Sequence, residues 1–160
     1  MLPLGSLEWV DFVGMTPFIY AARSADLAVM KLLLKHGADP NITPLEGTTA
    51  LMAAAGINWV VKQTYFESKD DFLKAVEFLY DLGQDVNAVN SMGLRAIHGA
   101  ANRGSDDIVK FLVAKGAKLD VKDSEGRTPL DWAEGVFLAT HPPEPKPSTI
   151  ALLKELGAKK

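Results

Sequence analysis

The sequence has no cysteine, which removes disulfide scaffolds, thiolate metal sites and cysteine nucleophiles together. Histidine is scarce: His36, His98 and His141 are the only three, and none stands in HExxH or another paired spacing. Positive charge is not in excess. Lys and Arg number 17 against 20 Asp and Glu, a formal net charge of −3, which offers no general attraction to phosphate backbones or anionic lipid. Long apolar runs are also missing. A membrane span needs about 18 continuous apolar residues, and the best candidate, 50–61, is interrupted by Gly56 and Asn58. The first basic side chain is Arg23, so no charged n-region precedes an apolar stretch and no signal peptide is expected. No P-loop, no GxGxxG after a strand and no GxSxG occurs. These absences argue against an enzyme, a metal site, a cofactor, a nucleic-acid partner and a membrane partner.

What remains is 160 residues, 48% apolar and 23% charged. That composition argues against disorder and is enough for one domain with a real core. Its organisation lies in the glycines. Four segments align: Gly14-Met-Thr-Pro-Phe-Ile-Tyr-Ala-Ala22, Gly47-Thr-Thr-Ala-Leu-Met-Ala-Ala-Ala55, Gly93-Leu-Arg-Ala-Ile-His-Gly-Ala-Ala101 and Gly126-Arg-Thr-Pro-Leu-Asp-Trp-Ala-Glu134. Each is followed by a second series, ending in Gly37, Gly83, Gly116 and Gly157. Gly14 and Gly47 stand 33 apart, as do Gly93 and Gly126; between Gly47 and Gly93 the gap is 46, an insertion of 13.

Local chemistry turns these segments into helices. Thr16-Pro17 and Thr128-Pro129 are start signals, because the Thr oxygen can accept from an orphan N–H and Pro at the first position loses no bond. The Ala-Ala pairs let first helices lie close to their neighbours. Second helices are amphipathic, with Leu27, Met30, Leu33 and Leu34 on one stripe and Ile108, Phe111 and Leu112 on another. Gly37, Gly83, Gly116 and Gly157 sit where a left-handed residue closes a helix. The polar stretches 39–47, 85–93 and 120–126 then read as hairpin-like turns.

These residues resemble the ankyrin repeat, whose period is about 33 residues with a Thr-Pro-Leu-His-x-Ala signature. The resemblance runs from about Asp11 to Ala158. It implies an all-α solenoid of about four helix-turn-helix repeats joined by hairpin-like turns: 11–43, 44–89 with an insertion at 58–67, 90–122, and 123–158 with a Pro-rich insertion at 140–147. Residues 1–10 form an atypical N-terminal segment. Repeat three departs from the signature, with Arg95 and Ala96 in place of Thr and Pro, so its first helix is expected to lack that cap. His98 falls on the signature's histidine and resembles a structural imidazole rather than a catalytic one.

Two insertions and the start stand outside the pattern. In repeat two a new helix is expected from Ser68, capped by that residue and carrying Asp70 and Asp71 in its first turn, with Phe72, Val76 and Leu79 buried and Leu73 and Leu82 beside them. The preceding loop holds Trp59, Tyr65 and Phe66. It reads either as a contact loop for a small molecule or peptide, or as a segment packed on its own repeat. Pro142, Pro143, Pro145 and Pro147 read as a stiff connector or as a docking motif, ahead of a last helix over 149–156 capped by Ser148. The apolar start, with Leu7, Trp9 and Phe12, lacks the polar cap that solenoids need. Missing preceding repeats or self-association at that end is therefore expected.

The resemblance further implies a non-catalytic scaffold that binds a protein partner through its turn tips and the first-helix concave face. Carried over repeat by repeat, the tips give Phe12, Val13 and Met15; Leu45, Glu46 and Thr48; Ser91, Met92 and Leu94; and Ser124, Glu125 and Arg127. The first helices give Arg23, Ser24, Asn102 and Arg103, with Gly56 and Ile57 beside the insertion. Arg103 is expected to face solvent with little packing role. The partner itself and the compartment are not written in these residues.

Overall fold

Thr16 Oγ1 accepts from the Ile19 N–H at 3.3 Å and Thr49 Oγ1 from the Met52 N–H at 3.2 Å. Each releases a helix from the preceding turn. Thr128 and Ser68 do the same and are answered: Asp131 accepts from the Thr128 N–H at 2.8 Å and Asp71 from the Ser68 N–H at 2.9 Å, reciprocal boxes that satisfy two orphan donors. Repeat three has no hydroxyl at that position. Its Arg95 N–H instead donates to His98 Nδ1 at 3.0 Å, so the histidine supplies the answering half of the box.

The computed structural model describes residues 13–57, 68–136 and 142–160. Among them are eight helices and no strand. They are α1 (Pro17–Arg23), α2 (Leu27–Lys35), α3 (Ala50–Ala55), α4 (Lys69–Asp81), α5 (Ala96–Arg103), α6 (Asp106–Ala114), α7 (Pro129–Glu134) and α8 (Pro147–Glu155). They form an all-α solenoid of antiparallel pairs. The first helices stack in order, α1 on α3, α3 on α5 and α5 on α7, while α4, α6 and α8 stack behind them. Alanines 22, 54, 55, 100, 101 and 133 are buried in the first-helix row, and Leu79, Leu112 and Leu153 fill the second.

Every second helix ends alike. Gly37, Gly83, Gly116 and Gly157 have φ between 84° and 93°. The residue after each glycine donates back across the last turn, as in Ala38 N–H to Leu33 O at 3.0 Å and Ala117 N–H to Leu112 O at 2.9 Å. This is the Schellman closure, for which a residue without a Cβ is best suited.

Two expectations are corrected. The last helix begins at Pro147 rather than Thr149, and Lys146, not Ser148, stands at its N-cap without a side-chain hydrogen bond; Pro147 fixes φ at the first position and needs no cap of its own. Leu82 is exposed beyond the end of α4, while Phe72, Val76 and Leu79 are buried as expected. Trp59, Tyr65 and Phe66 of the insertion, and Leu7, Trp9 and Phe12 of the start, lie outside the described residues.

Candidate interaction surface along the turn tips

The turns are built from one residue each. Asn90 Oδ1 accepts from the Met92 and Leu94 N–H groups, both at 3.0 Å. Asp123 Oδ1 accepts from those of Glu125 and Arg127, both at 2.9 Å. The backbone then closes a narrow hairpin, Asn90 N–H to Leu94 O at 3.1 Å and Asp123 N–H to Arg127 O at 3.0 Å. Repeat two has Pro44 at this position, which lacks such an oxygen and closes through Gly47 N–H to Pro44 O at 3.0 Å.

Adjacent tips are tied to one another. Leu45 N–H donates to Val13 O at 3.3 Å, Ser91 N–H to Glu46 O at 2.8 Å and Ser124 N–H to Met92 O at 2.9 Å. The result is a continuous row of four tips held in register by main-chain bonds. At Gly93, whose φ is +74°, an added Cβ would lie 2.8 Å from Ser124 N, so that glycine permits the approach of the next tip.

At the repeat-four end the row is pinned by Asp123, whose side chain is fully buried. Its Oδ2 accepts from Arg127 Nε at 2.7 Å and from Trp132 Nε1 at 2.9 Å. Burial opposes its ionisation, but the Arg127 N–H and guanidinium and the Trp132 indole outweigh it and hold the carboxyl below the usual range. Arg127 also stacks over the Trp132 ring at 4.7 Å and pairs with Glu125 at 2.9 Å.

The structure divides the sequence-derived site residues. Leu45 is 83% exposed and Val13 61%, with Ser91, Ser124 and Glu125 also exposed and Met15, Met92 and Arg127 half-buried. Leu94 is only 2% exposed. Its expected place on the surface is corrected: Leu94 follows Gly93 and turns inward, as Thr48 does after Gly47. Thr48, Glu46, Asn102, Arg23, Gly56 and Ile57 are buried as well, and Ser24 is half-buried. Arg103 is not a free surface side chain: its Nη1 donates to Ala54 O at 2.8 Å and its guanidinium lies 4.1 Å from the Phe72 ring centre, so it braces α5 against α3 and α4. Phe12 lies outside the described residues. Val89, 52% exposed just before the Asn90 turn, was not among the expected contacts; an apolar residue outside both helix stripes is the signal that marks it.

Among the described residues no group of three or more acidic or histidine side chains is placed to hold a metal, and no helix is long and apolar enough to cross a membrane. Stacked helix pairs carrying one bonded row of tips define a repeat protein that presents an extended surface. The chain belongs to the ankyrin-repeat family: a family profile described as ankyrin repeats (3 copies) matches residues 5–63 and 65–135. It is similar to ankyrin repeat and SOCS box protein 3 of Bos taurus, 33% identical over 120 residues, and to alpha-latrocrustotoxin-Lt1a of Latrodectus tredecimguttatus, 30% identical over 118. It is also similar to palmitoyltransferase AKR1 of Lachancea kluyveri, 29% identical over 117 residues. These matches cover 74%, 74% and 73% of this chain but only 20%, 7% and 15% of the respective relatives. Ankyrin repeats are generally protein–protein interaction modules.

Proposed function

We propose that this chain is a non-catalytic scaffold that binds a partner protein along its tip row. The observation that supports this reading is the row itself, four tips cross-bonded into one surface and bearing Val13 and Leu45 outward. Large exposed aliphatic side chains on a rigid support suit the core of an interface. Met92 continues the apolar part, while Glu125 and Arg127 give it a charged end that sets orientation. Met15, half-buried beside the first tip, adds to its base. The buried members of the expected set, Arg23, Glu46, Leu94 and Asn102, and the half-buried Arg103 shape the surface from beneath. Acids on the row and a net charge of −3 make nucleic acid a poor partner.

The test begins with affinity capture from the source organism, followed by titration of the purified partner. Truncating central contacts typically costs more than about 1.4 kcal/mol, or tenfold in affinity. Leu45→Ser combined with Met92→Ser is expected to weaken binding at least about tenfold while leaving the melting temperature near that of the parent. Unchanged affinity would place the partner elsewhere, with the 58–67 insertion the next segment to examine.

A further inference from the structure

The run Pro142-Pro143-Glu144-Pro145-Lys146-Pro147 stands between α7 and α8, and no helix or strand forms in it before Pro147. Its conformation follows from its rings. Proline holds φ at about −65°, and Pro142 and Glu144, each standing before a proline, are steered away from the helical region. Residues 142–145 are thereby held in the polyproline II conformation, whose three residues per turn bring every third side chain to the same edge.

Two glycines seat this segment on the solenoid. A Cβ on Gly135, at the end of α7, would lie 3.0 Å from Glu144 N and 3.1 Å from Pro143 Cβ; one on Gly104, at the end of α5, would lie 3.0 to 3.4 Å from the side-chain carbons of Lys146. Pro143 and Lys146, three residues apart, are thus the members that rest on the fold. The Lys146 N–H fixes their height by donating to Ala133 O at 2.8 Å. Pro142 and Pro145, also three apart, stand on the next edge, and both are exposed. The two charges of the run, Glu144 and Lys146, pair with each other at 2.5 Å. The outward edge is therefore an apolar ridge of proline rings carrying no net charge.

We propose that Pro142 and Pro145 form a recognition ridge for a partner domain whose groove is lined by aromatic side chains, the chemistry that takes prolines three residues apart from a polyproline II helix. Proline rings and glycine contacts fix the segment before binding, so little ordering entropy opposes association. The ridge lies at the far end of α7 from the tip that Asp123 builds, so it can be occupied together with the tip row and does not depend on the scaffold reading above. Its test presents the purified full chain to a panel of isolated SH3, WW and EVH1 domains and titrates those that bind. Pro142→Ala combined with Pro145→Ala is expected to weaken binding at least about tenfold with an unchanged melting temperature. Pro142→Glu alone is expected to do the same by carrying a charge into an apolar groove, and it keeps the test open if the double variant folds poorly. Leu45→Ser on the tip row should leave the affinity as it is. In the isotope-labelled chain, amide shifts on adding the bound domain should centre on Gly104, Gly135 and Lys146. A panel in which no domain binds at the highest soluble concentration overturns the proposal. So does an affinity indifferent to both ridge variants, or shifts that centre on Ser91 and Ser124 of the tip row.

Discussion

His98 shows how one residue carries both a local and a pH-dependent role. Burial pushes its imidazole down from the ordinary 6.5 to about 4, against the pull of the nearby Asp123 carboxylate and with the help of Arg95. The folded chain therefore takes up this proton only near pH 4, whereas the unfolded chain takes it up at about 6.5. Between those values the unfolded state binds more protons. Stability is thus complete above about pH 6.5 and falls as the pH drops toward 4, by up to about 1.4 kcal/mol per unit and roughly 3 kcal/mol in all. Thermal melts from pH 7 to 5 should show this slope. His98→Gln keeps an acceptor for the Arg95 N–H, as a glutamine does in a capping box, and should flatten the profile; a parent equally stable at pH 5 and 7 would refute the assignment. Asp123 acts in a lower window. Its depressed carboxyl contributes stability above its ordinary range and loses it as the pH falls through the folded-state value. Asp123→Ala removes the acceptor for two turn amides, Arg127 Nε and the Trp132 indole, and should cost about 3 kcal/mol by urea titration. Asp123→Asn should cost less, since Asn90 already holds the neighbouring turn with an amide oxygen.

The helices and turns were legible in the sequence because their signals are local. A threonine before a proline, or a glycine after an aliphatic stripe, demands a helix start or stop whatever surrounds it. Burial along the surface was less legible. Leu94 looks like a tip residue by spacing, yet it follows the glycine, and alternation across a narrow hairpin turns it inward. Arg103 looks solvent-facing by helical phase, but Gly56 and Gly99 let α3 and α5 meet backbone to backbone and bring Ala54 O within its reach. That contact joins residues more than forty apart and leaves no periodic trace. A Cβ on Gly99 would lie 2.5 Å from Ile57 N and 2.7 Å from Gly56 C. Alanine there gains up to about 1 kcal/mol of helix propensity, but the clash is with backbone that cannot yield. Gly99→Ala should therefore destabilise by about 3 kcal/mol. Gly116→Ala meets nothing within 4 Å and strains only a φ of +90°, which should cost about 1 kcal/mol. Equal losses in urea would mean that α3 and α5 can slide apart. Arg103→Ala, for its part, should lower stability by about 1–2 kcal/mol, since it deprives Ala54 O of a charged donor and uncovers Phe72.

At the scale of the whole molecule, a solenoid is stabilised by nearest-neighbour interfaces, so the number of neighbours sets local stability. The α3/α4 and α5/α6 pairs have two. Among the described residues the α7/α8 pair has one, and it is tied by Lys160 to Glu134 and by Lys146 N–H to Ala133 O at 2.8 Å. The α1/α2 pair also has one among the described residues, and its Val29 and Leu32 are exposed. Burying an aliphatic side chain fully contributes about 1.5–3 kcal/mol. The exposure of these two side chains should accordingly lower the opening free energy of α2 by roughly 3 kcal/mol relative to α6. Amide hydrogen exchange of the dilute chain should rank α3, α5 and α6 slowest, α8 next and α2 fastest. Amides of α2 that are as protected as those of α5 would show that its exposed face carries no deficit.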